Sequence, residues 1–283
     1  MWDVENNTLL YSITHYDGLN RKACFNNNGT FYFSCDRYGL DIYDKFVLRL
    51  RETESGRIVF SKNLQQSLNF AGFSPDGNYI IAIAGTLIYI WDSKTGNDVQ
   101  TYDFKHSYRE MEKAMISPDN SKMICYKHKY HYVDIWSIKT GELINTIRHN
   151  GRINDACIDS TSRYLATASA DSTAAIWDLH TGQNLKTFSH DGSVSKLRFS
   201  PNGKILATSC SGIIQLWDIE NDTQLNASMK HASTVLDFNF SPDGQTIISS
   251  IENNVCRLWD VNTGEEITSP YIPANWIDTI INN

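Results

Sequence analysis

Residues 166–178 read ATASADSTAAIWD: small residues alternate with Thr and Ser, a polar Asp-Ser pair interrupts them, and a second small run ends on Trp-Asp. That pattern is two short strands joined by a tight turn. The ending recurs as IWDSKTG at 90–96, LWDIEND at 216–222 and LWDVNTG at 258–264. Trp91, Trp136, Trp177, Trp217 and Trp259 fall 45, 41, 40 and 42 residues apart. A period near 40 residues marks an array of repeated supersecondary units.

Two further markers share the period. SPDG at Ser74 and Ser241, SPDN at Ser117, DSTS at Asp159 and SPNG at Ser200 precede each Trp by 17 to 19 residues. Pro presets φ in these stretches and the following Asp/Asn-Gly tolerates the rest, so each is a turn between strands. Thr-Gly follows Trp by four and five residues in four copies. Each unit therefore reads as four strands joined by three turns. A lone sheet of that size buries too little, so the units are expected to pack face to face around a ring.

Composition narrows the classes. The chain has 283 residues, 41% of them hydrophobic, and a net charge of -7, so it can bury a sizeable core. An acidic balance argues against general binding to phosphate backbones. Residues 1–10 carry Asp3 and Glu5 and do not resemble a secretory signal; the expected compartment is the cytoplasm, with the nucleus also open, and no membrane partner is expected. Six cysteines without a C-x-x-C pair or metal-ligand spacing read as small buried hydrophobes in a reducing compartment. No phosphate-cradling loop, zinc-hydrolase helix or reactive Cys–His pair is present. No cofactor, metal or catalytic constellation is expected.

These repeats resemble the WD40-repeat β-propeller family over nearly the whole chain. The resemblance implies an all-β fold: a β-propeller of four-stranded antiparallel blades, six complete and a seventh incomplete, in a single WD40 β-propeller domain over 1–283. It also implies a hydrogen-bonded tetrad in each blade. His149, Thr167, Asp171 and Trp177 match all four positions. A buried indole N–H needs an acceptor, which such a chain supplies. A Ser/Thr–His–Asp set also suggests a hydrolase triad, but its recurrence in degraded form along the array suits a structural device.

The other copies depart from the pattern. His231, Ser249 and Trp259 match, with Asn253 at the Asp position. His190, Thr208 and Trp217 match, but the turn is one residue shorter and has lost its Asp, leaving Ser211 and Gly212. The Trp91 repeat has Ala82 where Ser is expected and no His; the Trp136 repeat has Cys125 there, with His106 out of register. In LRLRETESG at 48–56, Arg51 takes the Trp position and Ser34 the strand-b site.

Third-strand ends thus number seven, at Trp2, Arg51, Trp91, Trp136, Trp177, Trp217 and Trp259, with partial repeats at both termini. Residues 8–13 can form an outer strand and residues 275–281 an inner one, leaving the seventh blade unfinished. The expectation is exposed strand edges there, completed by a partner or by an additional chain segment; the alternative is a closed six-bladed ring with loose terminal strands.

Two departures from the repeat are candidate partner-binding surfaces, expected on one face. Residues 35–46 lengthen the hairpin between the second and third strands and carry Arg37, Tyr38, Tyr43 and Lys45, residue types enriched in interface anchors; the bland alternative is a solvated insertion. Residues 125–136, CYKHKYHYVDIW, place Tyr126, His128 and Tyr130 around the corresponding turn of another blade. That stretch reads as a partner-binding patch, a metal site, a nucleic-acid contact through stacked rings and cations, or core tyrosines with exposed Lys and His. The function expected is a non-catalytic scaffold for protein–protein interactions through these loops. Alternatives are a sensor or regulatory region of a larger signalling protein such as an ATPase, and an enzyme using the central channel.

Overall fold

A computed structural model describes residues 2–3, 8–9, 23–26, 28–38, 45–64, 66, 68–103, 113–126, 130–252 and 255–267. All regular structure among them is strand, in two compact units, 1–116 and 117–283.

The first unit holds β1 (Trp2–Asp3), β2 (Thr8–Leu9), β3 (Ala23–Phe25), β4 (Phe31–Tyr38), β5 (Lys45–Glu52), β6 (Ile58–Leu64), β7 (Leu68–Phe73), β8 (Tyr79–Ala84), β9 (Leu87–Asp92), β10 (Asp98–Asp103) and β11 (Lys113–Ile116). The second holds β12 (Lys122–Tyr126), β13 (Tyr132–Ser137), β14 (Leu143–Arg148), β15 (Ile153–Ile158), β16 (Tyr164–Ser169), β17 (Thr173–Asp178), β18 (Asn184–Ser189), β19 (Val194–Phe199), β20 (Ile205–Cys210), β21 (Ile213–Asp218), β22 (Thr223–Lys230), β23 (Val235–Phe240), β24 (Thr246–Ile251) and β25 (Val255–Asp260).

Strands pair in sequence order as antiparallel meanders. Four-stranded sheets run β3-β4-β5-β6, β7-β8-β9-β10, β11-β12-β13-β14, β15-β16-β17-β18 and β19-β20-β21-β22. A sixth sheet, β23-β24-β25, has three described strands. Beyond β25, Glu266 forms an isolated antiparallel bridge to Trp259 and the Ile267 N–H donates to the Leu258 carbonyl. The expected outer strand at 8–13 is seen as Thr8–Leu9 paired with Trp2–Asp3. The expected inner strand at 275–281 lies outside the described residues.

The turn chemistry is local and repeated. The Ser74 hydroxyl donates to Asp76 and accepts the Tyr79 N–H at 2.9 Å, closing the turn over Gly77 at φ 72. Asp159, lacking such a Ser, takes the Tyr164 N–H at 2.6 Å itself. The Asp after Trp is explained by the third turn: Asp178 Oδ1 accepts the Thr181 N–H at 2.8 Å and its hydroxyl at 3.0 Å. Gly182 at φ 69 then occupies the left-handed region that glycine enters without steric cost.

Packing explains the small residues of the opening stretch. Ala166, Ala168, Ala174 and Ile176 form one cluster with Val194, Leu197, Leu206 and Trp217 of the following sheet; alanines let the two sheets approach closely. Trp217 is 8% exposed, and a buried Trp contributes about 3–5 kcal/mol relative to Ala. The next cluster repeats the arrangement, with Ile214 and Leu216 against Val235, Phe238 and Trp259. Bulges recur at equivalent places, such as between Ile153 and Asp155 and between Ile176 and Trp177, and bulges increase local twist.

Candidate functional site

The tetrad residues form one hydrogen-bonded chain. The Trp177 indole N–H donates to Thr167 Oγ1 at 2.7 Å, and that hydroxyl lies 2.7 Å from His149 Nε2. His149 Nδ1 lies 3.1 Å from Asp171. The indole occupies the hydroxyl as an acceptor, so the Thr167 O–H donates to Nε2 and the imidazole is neutral with its proton on Nδ1. Asp171 also accepts from the Thr173 hydroxyl at 2.6 Å and from the Asn150 N–H at 2.9 Å. Gly151 is required by close approach: a Cβ there would sit 2.5 Å from the Asp171 nitrogen. Thr167 is fully buried and its hydroxyl is held between the Trp177 indole and the His149 imidazole, which suits a structural role.

The degraded copies keep the core of this chain. Thr208 Oγ1 takes the Trp217 N–H at 2.8 Å and meets His190 Nε2 at 2.8 Å; Ser249 joins Trp259 and His231 at 2.8 and 2.7 Å. Main-chain carbonyls do the work of the Asp. His190 Nδ1 lies 3.2 Å from the Phe188 carbonyl, and His231 Nδ1 lies 3.1 Å from that of Met229 and 3.2 Å from that of Gly212. Asn253 lies outside the described residues. Trp91 lies across the strand pair from Asp98, whose carboxylate accepts from Lys62 at 2.9 Å.

Burial lowers the pKa of all three histidines, against upward pulls from Asp171 on His149, from the Phe188 carbonyl on His190 and from the Gly212 and Met229 carbonyls on His231. Burial presses the Asp171 carboxyl upward, yet hydrogen bonds from Thr173 and Asn150 and the nearby His149 prevail and lower it to about 2. Groups with lowered folded-state values stabilise the fold fully above their unfolded values. The histidine contribution is therefore present above about pH 6.5 and lost as pH falls below it. The melting temperature is expected to drop by several degrees between pH 7.5 and pH 5.5 in scanning fluorimetry; an unchanged value would contradict the neutral-imidazole assignment.

The two candidate surfaces differ in how far they are described. In the first unit, β4 and β5 run eight residues each and stay in register out to Tyr38 opposite Lys45, so the lengthened hairpin exists. The side chains of Arg37, Tyr38 and Lys45, and all of Tyr43, lie outside the described residues, as does His128.

In the second unit the tyrosines part company. Tyr126 is 3% exposed and its O–H donates to Asp155 at 3.4 Å, so it points inward and is not part of an exposed patch. Tyr130 is 37% exposed and stacks on Tyr132 with centroids 5.3 Å apart. The Arg148 guanidinium lies 5.5 Å from the Tyr132 ring centroid, and His131 meets that ring edge-on at 5.9 Å. Arg148 escapes a reading of 125–136 as an isolated segment; the cue is its place directly across the strand pair from Tyr132.

A second polar cluster links inner strands. Arg198 on β19 donates to Asp155 on β15 at 2.8 Å and to Asp237 on β23 at 3.0 Å. Burial works to lower the proton affinity of Arg198, but the two carboxylates outweigh it and raise it. Among the described residues no three His, Cys, Asp or Glu side chains are grouped to hold a metal ion.

Meandering sheets packed face to face, with an indole-centred hydrogen-bond chain in successive sheets, define a β-propeller. A family model for the WD domain, G-beta repeat, matches residues 141–178, 182–218 and 223–260, so these three stretches are similar to WD40 repeats. It is 30% identical over 127 residues to the Serine-threonine kinase receptor-associated protein of Dictyostelium discoideum, an alignment spanning 44% of this chain and 42% of that protein. Among solved structures it is similar to the computationally designed Ika8 protein, with a TM-score of 0.75, 20% identity, and coverage of 94% of this chain and 78% of that one. It is also similar to the C-terminal WD40 domain of Sif2, with a TM-score of 0.66, 20% identity, and coverage of 85% and 66%.

Proposed function

We propose that the chain is a cytoplasmic, non-catalytic interaction module that binds a protein partner through loops between second and third strands. The observation that carries this is the exposed Tyr130 ring stacked on Tyr132 beside Arg148, since aromatic rings and Arg are the side chains from which binding hot spots are built. The lengthened β4–β5 hairpin, with Arg37, Tyr38, Tyr43 and Lys45, is a second contact. The related Dictyostelium protein is named as receptor-associated, in keeping with a binding role. All six cysteines are unpaired, which suits a reducing compartment.

A pull-down with the intact chain and with Tyr130→Ala/Arg148→Ala tests the reading. The expected result is a specific protein retained by the intact chain and reduced at least tenfold by the double variant, at unchanged melting temperature. Tyr126→Phe removes only the inward hydroxyl and is expected to retain the partner. Equal retention by all three chains would move the binding surface away from this turn. A regulatory propeller region within a larger signalling protein is a second reading, favoured by the uncovered face of the β23-β24-β25 sheet.

A further inference from the structure

The sheets place equivalent residues at matching positions, so their burial can be compared one by one. The third-strand residue that precedes the Trp position by three is Leu48, Ile88, Val133, Ala174 or Ile214 in five sheets, and each is at most 1% exposed. In the sixth sheet it is Cys256, which is exposed. One residue before the Trp position stand Leu50, Ile90, Ile135, Ile176 and Leu216, all buried, whereas Leu258 is only partly so. A cleft lined by Asp237, Asn239, Ile248, Ser250 and Cys256 opens on this same face.

The inner-strand carboxylates show what belongs there. Asp155 and Asp237 occupy the same register, opposite Ala168 and Ser250 respectively. Each turns Oδ1 toward the preceding sheet, where Asp155 meets Tyr126 and Asp237 meets Arg198. Asp155 turns Oδ2 toward the following inner strand, where it accepts the Leu197 N–H at 3.3 Å and Arg198 Nη1 at 2.8 Å. Asp237 Oδ2 has no partner among the described residues. The side chain of Asp155 is 6% exposed and that of Asp237 is 46% exposed.

We propose that this face binds an extended segment of a partner protein, laid down as the inner strand of a further blade, in which an apolar residue is followed by Arg or Lys. The apolar side chain covers Ile248, Cys256 and Leu258, and the basic one reaches Asp237 Oδ2 as Arg198 reaches Asp155. Charge complementarity favours a partner over the chain's own C-terminal stretch, because residues 268–283 contain no Lys or Arg. The inference rests on the propeller reading but is independent of the Tyr130 surface, so either can fail alone.

The probe is a synthetic peptide with the sequence of residues 193–209, the inner hairpin that carries Leu197 and Arg198. Maleimide labelling of the intact chain is followed by mass spectrometry, alongside peptide binding by fluorescence anisotropy. Cys256 is expected to be the most rapidly labelled of the six thiols, and saturating peptide is expected to slow its labelling at least fivefold. Arg198→Glu in the peptide and Asp237→Asn in the chain are each expected to weaken binding at least tenfold, with the melting temperature of the chain confirming that it folds. Several results would overturn the proposal. One is a Cys256 that resists labelling in the free chain, whether its own C-terminal residues or, with concentration dependence, a second copy covers the face. The others are a peptide that neither binds nor protects, and binding indifferent to Arg198 and Asp237.

Discussion

Arg198→Met is expected to destabilise the fold by about 3–5 kcal/mol, the usual consequence of leaving a buried charge without its counterpart. Met preserves much of the packing volume, so the loss isolates the electrostatic part. Asp155 is the charge left behind: it is almost fully buried, and the remaining Tyr126 O–H and Leu197 N–H are neutral donors. Asp237 is half exposed and suffers far less, because water replaces the guanidinium. At roughly 2–4 °C per kcal/mol for chains of about this size, the melting temperature should fall by on the order of 10 °C. The double variant Arg198→Met/Asp155→Asn discriminates the cause. It removes the orphaned charge and should recover much of the loss; a double variant as unstable as Arg198→Met alone would assign the effect to packing.

That cluster also shows where reading the chain as a sequence stops. Trp177, Thr167 and His149 are legible because a buried indole needs an acceptor and few side chains can provide one, and the repeat period then locates each copy. The carbonyls of Phe188 and Met229 that replace Asp171 have no sequence signature, since every residue carries one. Losing the Asp therefore looks like losing the tetrad, whereas only its last link is exchanged. Tyr126 and Tyr130 look alike in CYKHKYHY, yet the first continues a strand buried on both faces and the second follows the turn. Their separation depends on where the strand ends, which periodicity places poorly in a segment so rich in tyrosines. Arg198 meets carboxylates 43 and 39 residues away, about one repeat period in each direction, so opposite charges one period apart were a usable cue.

Thr167→Val should be the most damaging conservative change in the sheet of β15 to β18. Val has nearly the shape of Thr but no hydroxyl, so the cavity term is small while the Trp177 N–H and His149 Nε2 both lose their partner inside the core. Each buried group left unsatisfied costs about 1–3 kcal/mol, which for the two sets the expected loss at roughly 2–6 kcal/mol. Thr167→Ser keeps the hydroxyl and should retain most of the stability, as Ser249 does the same work for Trp259 and His231. Asp171→Asn should cost less than Thr167→Val, because His190 and His231 are held by carbonyl oxygens with no carboxylate at all. Melting temperatures of the three variants at pH 7.5 decide the order. If Asp171→Asn proved the worst, the carboxylate and not the hydroxyl would be the node of the chain, and the Asp-less copies would have to be weaker sheets, with lower hydrogen-exchange protection at Thr208 and Ser249 than at Thr167.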